Sequence, residues 1–209
     1  MDLGDATISG YLTELGSAAP APGGGAVAAL TVAQAAALVE MVGNLTVGRS
    51  ADAEVEHVIA GVVEQAGRFR VEALRLATDD AAAFSAVIAA YRLPKAGDAQ
   101  IAARRAAIQD ALVAAADVPM RTAEVAAAVV ELAERIRPDA NRNVLSDVAV
   151  AAATARAAIE ASAVNVQVNA VSLTDPEVRG ALRQRIAVHR AAIADAERVV
   201  RAVEETLGR

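Results

Sequence analysis

Residues 62–92 read VVEQAGRFRVEALRLATDDAAAFSAVIAAYR, and the positions Val62, Ala66, Phe69, Ala73, Leu76, Asp80, Ala83 and Val87 follow one another by alternating steps of four and three. A helix completes a turn every 3.6 residues, so this spacing puts all eight side chains on one seam that faces a core. The pattern predicts a long helix from Ala51 to about Arg92. It stops where Pro94 disfavours helical geometry at the residue before it.

Asp80 interrupts this seam. A carboxylate in a core-facing position must be paired, hydrogen-bonded or protonated, because desolvation raises its pKa. That environment suits a general acid or base. The alternative is a slightly rotated helix in which Asp79 or Asp80 faces water at the edge.

Working outward, caps and breakers mark further helices. They are expected over residues 7 to 16, from about Gly25 to Val47, from Gly97 and Asp98 to about Ala116, and from Pro119 to the RPDANRN segment. Another is expected from a Ser146 cap to about Leu173, and the last from Pro176 to about Leu207. No stretch alternates with period two, so no sheet is expected. The expected architecture is all-α, an antiparallel bundle of long helices forming a single domain over residues 1–209, and the close-packing helices lead to the expectation of a homodimer.

Composition agrees with this. The chain is 55% apolar but 2% aromatic, without tryptophan. Alanine is the best helix former, and small side chains allow close helix approach. Few aromatics argue against base stacking, and a net charge of -6 argues against a polyanion-binding surface, so no nucleic-acid partner is expected. The absence of cysteine excludes disulfides and thiolate sites. Residues 26–47 contain Gln34, Glu40 and Asn44 and few large apolar side chains, so they read as a buried helix and no membrane association is expected. No basic and apolar leader opens the sequence, and a cytoplasmic protein is expected.

Three further features stand out. Residues 20–30 read PAPGGGAVAAL, in which Gly23, Gly24 and Gly25 stand at a helix mouth; they serve either close helix packing or a ligand approaching the backbone. Asp147, Ala151, Ala155, Ala158, Ser162, Asn165 and Asn169 share a helix face that is small and polar. Either another helix packs very close there, or a ligand lies along it. Lys95 is the single lysine among twenty basic residues; it is a remnant of arginine-rich codon usage or an ammonium required for its titratable proton. His189 lies in an apolar seam and reads as a packing residue, whereas His57 reads as part of a solvated helix start. No HExxH pair, EF-hand loop or Ser-His-Asp order is present, so neither a metal nor a triad is expected.

Together these stretches resemble the cyclodeaminase/cyclohydrolase family. PAPGGGAVAAL is similar to its P-x-P-G-G-G-[SA]-V-A-A motif, followed by MVGNLTVGR; DDAAAFSAVIAAYRLPK resembles its aspartate, A-F and L-P-K segment with Asp80 in register; LSDVAVAA and NVQVN match two later motifs. The resemblance covers nearly the whole chain. It implies a dimeric all-helical fold acting on a one-carbon group of tetrahydrofolate, either closing a formimino group with loss of ammonia or opening a methenyl ring with water. Metal-free general acid/base catalysis is implied, with the folate as substrate and no separate cofactor. Asp80 and Asp147 are then candidates for proton transfer and stabilisation of the cationic carbon. Lys95 is a candidate acid or folate-carboxylate binder, and Gly23, Gly24, Gly25, Tyr91, Asn165 and Asn169 are candidates for substrate binding. Ala26 stands where many relatives have serine, which leaves the choice of reaction open. A non-catalytic helical dimer that binds folate or a protein is the alternative function.

Overall fold

The structure, a computed structural model, describes residues 4–208. Among these residues there is no strand. The helices are α1 (Ile8–Leu15), α2 (Gly24–Asn44), α3 (Ala53–Tyr91), α4 (Asp98–Ile136), α5 (Leu145–Val171), α6 (Pro176–Arg190) and α7 (Ala192–Leu207), with a 3-10 turn at Arg142–Val144 before α5.

The alanine composition explains the packing. α2 lies against α3, α4 and α5, and its Ala26, Ala29, Ala33 and Ala36 share a buried core with Ala151, Ala155 and Ala158 of α5. Small side chains on both surfaces allow this close approach. Among the described residues α2 is the one helix long and apolar enough to cross a membrane, and 56% of its most apolar stretch is buried inside the bundle.

A second core brings Val87 and Ala90 of α3 together with Leu112 and Met120 of α4, Val166 of α5 and Leu182 and Ile186 of α6. Asp80 lies on α3 between the last α3 residue of the first core, Ala77, and the first of the second, Val87. Asp80 thus stands at the junction of the two cores. Helices α2 and α5 run antiparallel: Gly24 faces Asn165 near the end of α5, while Leu45 and Thr46 after α2 bond to Asn141 before α5.

Three boundaries differ from those expected. The chain does not restart at Pro119, because α4 runs through it as one helix. Proline has no N–H to give the carbonyl four residues back, here that of Ala115. Asn169 of α5 fills this gap, its Nδ2 donating to the Ala115 carbonyl at 3.3 Å. The final helix divides at Ala191, which keeps helical angles; Ala191 and Ala194 instead make three-residue bonds to Val188 and Ala191, tightening the ladder locally. α5 begins at Leu145 without a Ser146 cap, and the Asn141 side chain accepting from Asn143 N opens the preceding 3-10 turn.

Candidate active site

The site starts from a capping problem. The first amides of α2 have no partner within the helix, and its N-cap residue, Gly23, has no side chain to supply one. The missing acceptor comes from α3, where Asp80 Oδ2 accepts from the Ala26 amide at 3.0 Å. The positive end of the helix dipole favours a carboxylate there.

Gly25 makes this approach possible. A Cβ on Gly25 would stand 2.0 Å from Asp80 Oδ1 and 2.4 Å from Cγ, whereas one on Gly24 would meet Asn165 at an ordinary 3.8 Å and one on Gly23 would meet nothing within 4 Å. Of the three glycines, Gly25 is therefore the one required by a close contact. Burial pushes the Asp80 carboxyl above its ordinary value, and the Ala26 hydrogen bond only partly opposes this. Asp79, by contrast, turns outward and pairs with Arg75 at 3.8 Å.

Asp80 opens onto a cavity of about 400 Å³. Gly23, Gly24 and Gly25 form its mouth; Phe84, Val87 and Tyr91 of α3, Leu112 and Ala115 of α4, and Asn165 and Asn169 of α5 line its walls. Tyr91 is 45% exposed. Its carbonyl accepts from Arg104 Nε and a terminal guanidinium nitrogen at 3.2 and 2.9 Å, and the guanidinium lies 5.7 Å from its ring centroid. This fixes the end of α3.

The asparagine amide nitrogens are already engaged. Asn165 Nδ2 donates to Ala161 O at 2.9 Å, and Asn169 Nδ2 donates to Asn165 O at 3.2 Å as well as to Ala115 O. Their side-chain oxygens are left as acceptors. The polar face of α5 thus divides along its length: Ala151, Ala155, Ala158 and Ser162 are fully buried in helix packing, and the two asparagines line the cavity.

The Pro119–Asn169 coupling makes a stability prediction. Asn169→Ala leaves the buried Ala115 carbonyl unsatisfied and is expected to cost about 1–3 kcal/mol in urea unfolding. Adding Pro119→Ala returns an N–H to that carbonyl and is expected to recover most of the loss.

Lys95 and Asp147 do not join this cavity. Lys95 is exposed on the loop between α3 and α4 and is not among the lining residues. Asp147 is half-buried in the first turn of α5. Eighteen residues along that helix separate it from Asn165, about 27 Å at 1.5 Å per residue. His189 is half-buried on α6 and His57 is exposed on α3, both outside the cavity.

The structure adds Tyr11, which sequence reasoning missed. Its hydroxyl is buried without a hydrogen-bond partner, and its pKa is raised by burial and by the nearby Asp80 charge. The available signal was its rarity, since the chain contains two tyrosines. A wider depression of about 770 Å³ near Glu40 and Arg121 is larger than the Asp80 cavity. Its charges satisfy one another, Arg70 Nε bonding Glu40 at 2.7 Å and Arg121 Nε bonding Glu72 at 2.6 Å, so it offers no comparable unpaired group.

Comparison with known proteins gives the family of the whole chain. The family model described as formiminotransferase-cyclodeaminase matches residues 7–188. A methenyltetrahydrofolate cyclohydrolase from Methylorubrum extorquens is 45% identical over 172 residues, which are 82% of this chain and 83% of that protein. The formimidoyltransferase-cyclodeaminase of Rattus norvegicus is 31% identical over 182 residues, 87% of this chain but 34% of the relative, so the chain spans about a third of that protein. The crystal structure of formiminotetrahydrofolate cyclodeaminase from Thermotoga maritima superposes with a TM-score of 0.87 at 27% identity, covering 99% of both chains. With the glycine mouth, the capping aspartate and the paired asparagines in place, the chain belongs to the formiminotransferase-cyclodeaminase family.

Proposed function

We propose that this protein acts on the one-carbon group of a tetrahydrofolate in the Asp80 cavity, as a methenyltetrahydrofolate cyclohydrolase. The observation that carries the reading is the Asp80 carboxylate, desolvated yet anchored to the Ala26 amide at the cavity wall. Such a group can take a proton from water as the new C–O bond forms at the methenyl carbon. It can then give that proton to the folate nitrogen as the C–N bond breaks, while the hydroxyl proton of the intermediate leaves to solvent. Ionised Asp80 also stabilises the cationic carbon before attack.

The free oxygens of Asn165 and Asn169 suit the N–H donors of a pterin. The open mouth at Gly23 and Gly24 lets a flat ring lie against backbone. The M. extorquens relative, similar in length as well as sequence, favours the cyclohydrolase reaction. The T. maritima structure favours a second reading, in which the same carboxylate serves ring closure with loss of ammonia.

Loss of the methenyl chromophore on incubation with the purified protein tests the first reading, and formation of that chromophore from formiminotetrahydrofolate tests the second. Hydrolysis faster than the uncatalysed rate is expected. Chromophore formation from the formimino substrate without methenyl hydrolysis would replace the first reading with the second, and failure of both would remove the catalytic assignment.

A further inference from the structure

A second cavity of about 440 Å³ adjoins the Asp80 cavity and shares Pro20, Phe84 and Ile88 with it. We propose that this cavity holds the aminobenzoyl-glutamate arm of a folate, with Arg92 binding a glutamate carboxylate; the inference rests on the folate reading of the Asp80 site. The two spaces lie side by side along the last turns of α3, with Phe84 and Ile88 on the wall of both. One end carries the half-buried polar groups of Asp80 and the asparagines, which match a pterin, and the other is lined by exposed Phe84, Arg92, Leu93 and Pro94, which matches a flexible anionic tail.

Two observations identify the second end. Phe84 is one of two phenylalanines in the chain, yet it is 40% exposed and stands at the shared wall. An aromatic ring leaving the first cavity would pass against it, where ring–ring contact adds to apolar burial. Beyond it, Arg92 is the one charged residue on the wall of the second cavity. Unlike Arg104, which is engaged with Tyr91, the Arg92 guanidinium makes no hydrogen bond or ion pair among the described residues. Lys95 follows Pro94 of the same wall, so a protein of net charge -6 presents cations beside this second cavity. A planar guanidinium can take a carboxylate through two parallel hydrogen bonds.

The test is equilibrium titration of the intact protein with 5-formyltetrahydrofolate and with 5-formyltetrahydropteroate, which lacks the glutamate. Arg92→Ala is expected to weaken the folate about tenfold and to leave the pteroate within about twofold. Arg183→Ala, an equal charge change on the exposed face of α6, is expected to alter neither. Equal losses for both ligands, no loss for either, or no binding of folate by the unaltered protein would overturn the inference. Because binding is read without turnover, selective loss in an inactive protein would support this subsite while removing the cyclohydrolase reading.

Discussion

Asp80→Asn is expected to slow turnover of the one-carbon folate by about 10²–10⁴-fold, the range typical of removing a general acid or base, while leaving the protein at least as stable at pH 7. The two effects have one physical origin. Burial raises the Asp80 carboxyl above its ordinary value of 3.8, so folding favours the protonated form. The stabilisation is fully present below the ordinary value and is lost as pH rises through the higher folded-state pKa. At neutral pH the ionised group is therefore a cost that the fold carries. Asparagine removes the charge and keeps an oxygen able to accept from the Ala26 amide. Thermal melts from pH 3 to pH 8 check this: the wild type should lose stability across the raised titration and the variant should lose less. A variant that melts well below the wild type at pH 7 would show that the charge serves mainly as a helix cap.

Gly25→Ala is expected to reduce turnover about 100-fold, because displacement of a reacting group by about 1 Å can cost that much. Alanine in a helix is ordinarily favoured over glycine by about 0.5–1 kcal/mol. Here the added carbon would sit 2.0 Å from Asp80 Oδ1, and relieving such overpacking costs about 1–3 kcal/mol. The clash outweighs the propensity. The carboxylate must swing away from Ala26 or the start of α2 must shift. Circular dichroism should show the helices retained, and urea unfolding should show a net loss of stability. Gly24→Ala, whose Cβ meets Asn165 at 3.8 Å, provides the comparison and is expected to fold without such a loss. Full activity in Gly25→Ala would contradict the geometry of the site.

The sequence pattern revealed Asp80 because one polar residue in a four-three apolar seam is a local signal. It also distinguished the glycine mouth, though the need for Gly25 in particular depends on a carboxylate 55 residues away in the chain, Asp80. The continuity of α4 through Pro119 was not legible. Propensity registers the missing N–H, but the compensation comes from Asn169 on another helix. The grouping of Asp147 with the asparagines followed from their common face, whereas distance along the axis separates them. Lys95 stood out by rarity, and rarity carries no position. Tyr11 was missed for the reverse reason: α1 had no motif of its own, and the hydroxyl acquires interest through burial and its proximity to the Asp80 charge. Local spacing thus found the group that its own helix turns toward the core, and failed wherever a partner helix decides what that group meets.

In the proposed reaction the desolvated Asp80 carboxyl faces the folate. Carbon-13 NMR titration of the aspartate side chains, with and without 5-formyltetrahydrofolate and with Asp80→Asn for assignment, tests it most directly. The Asp80 resonance should titrate above the ordinary aspartate range and shift when the folate binds. An Asp80 resonance that titrates in the ordinary range, or one unmoved by bound folate, would show that Asp80 is not the desolvated group that meets the substrate.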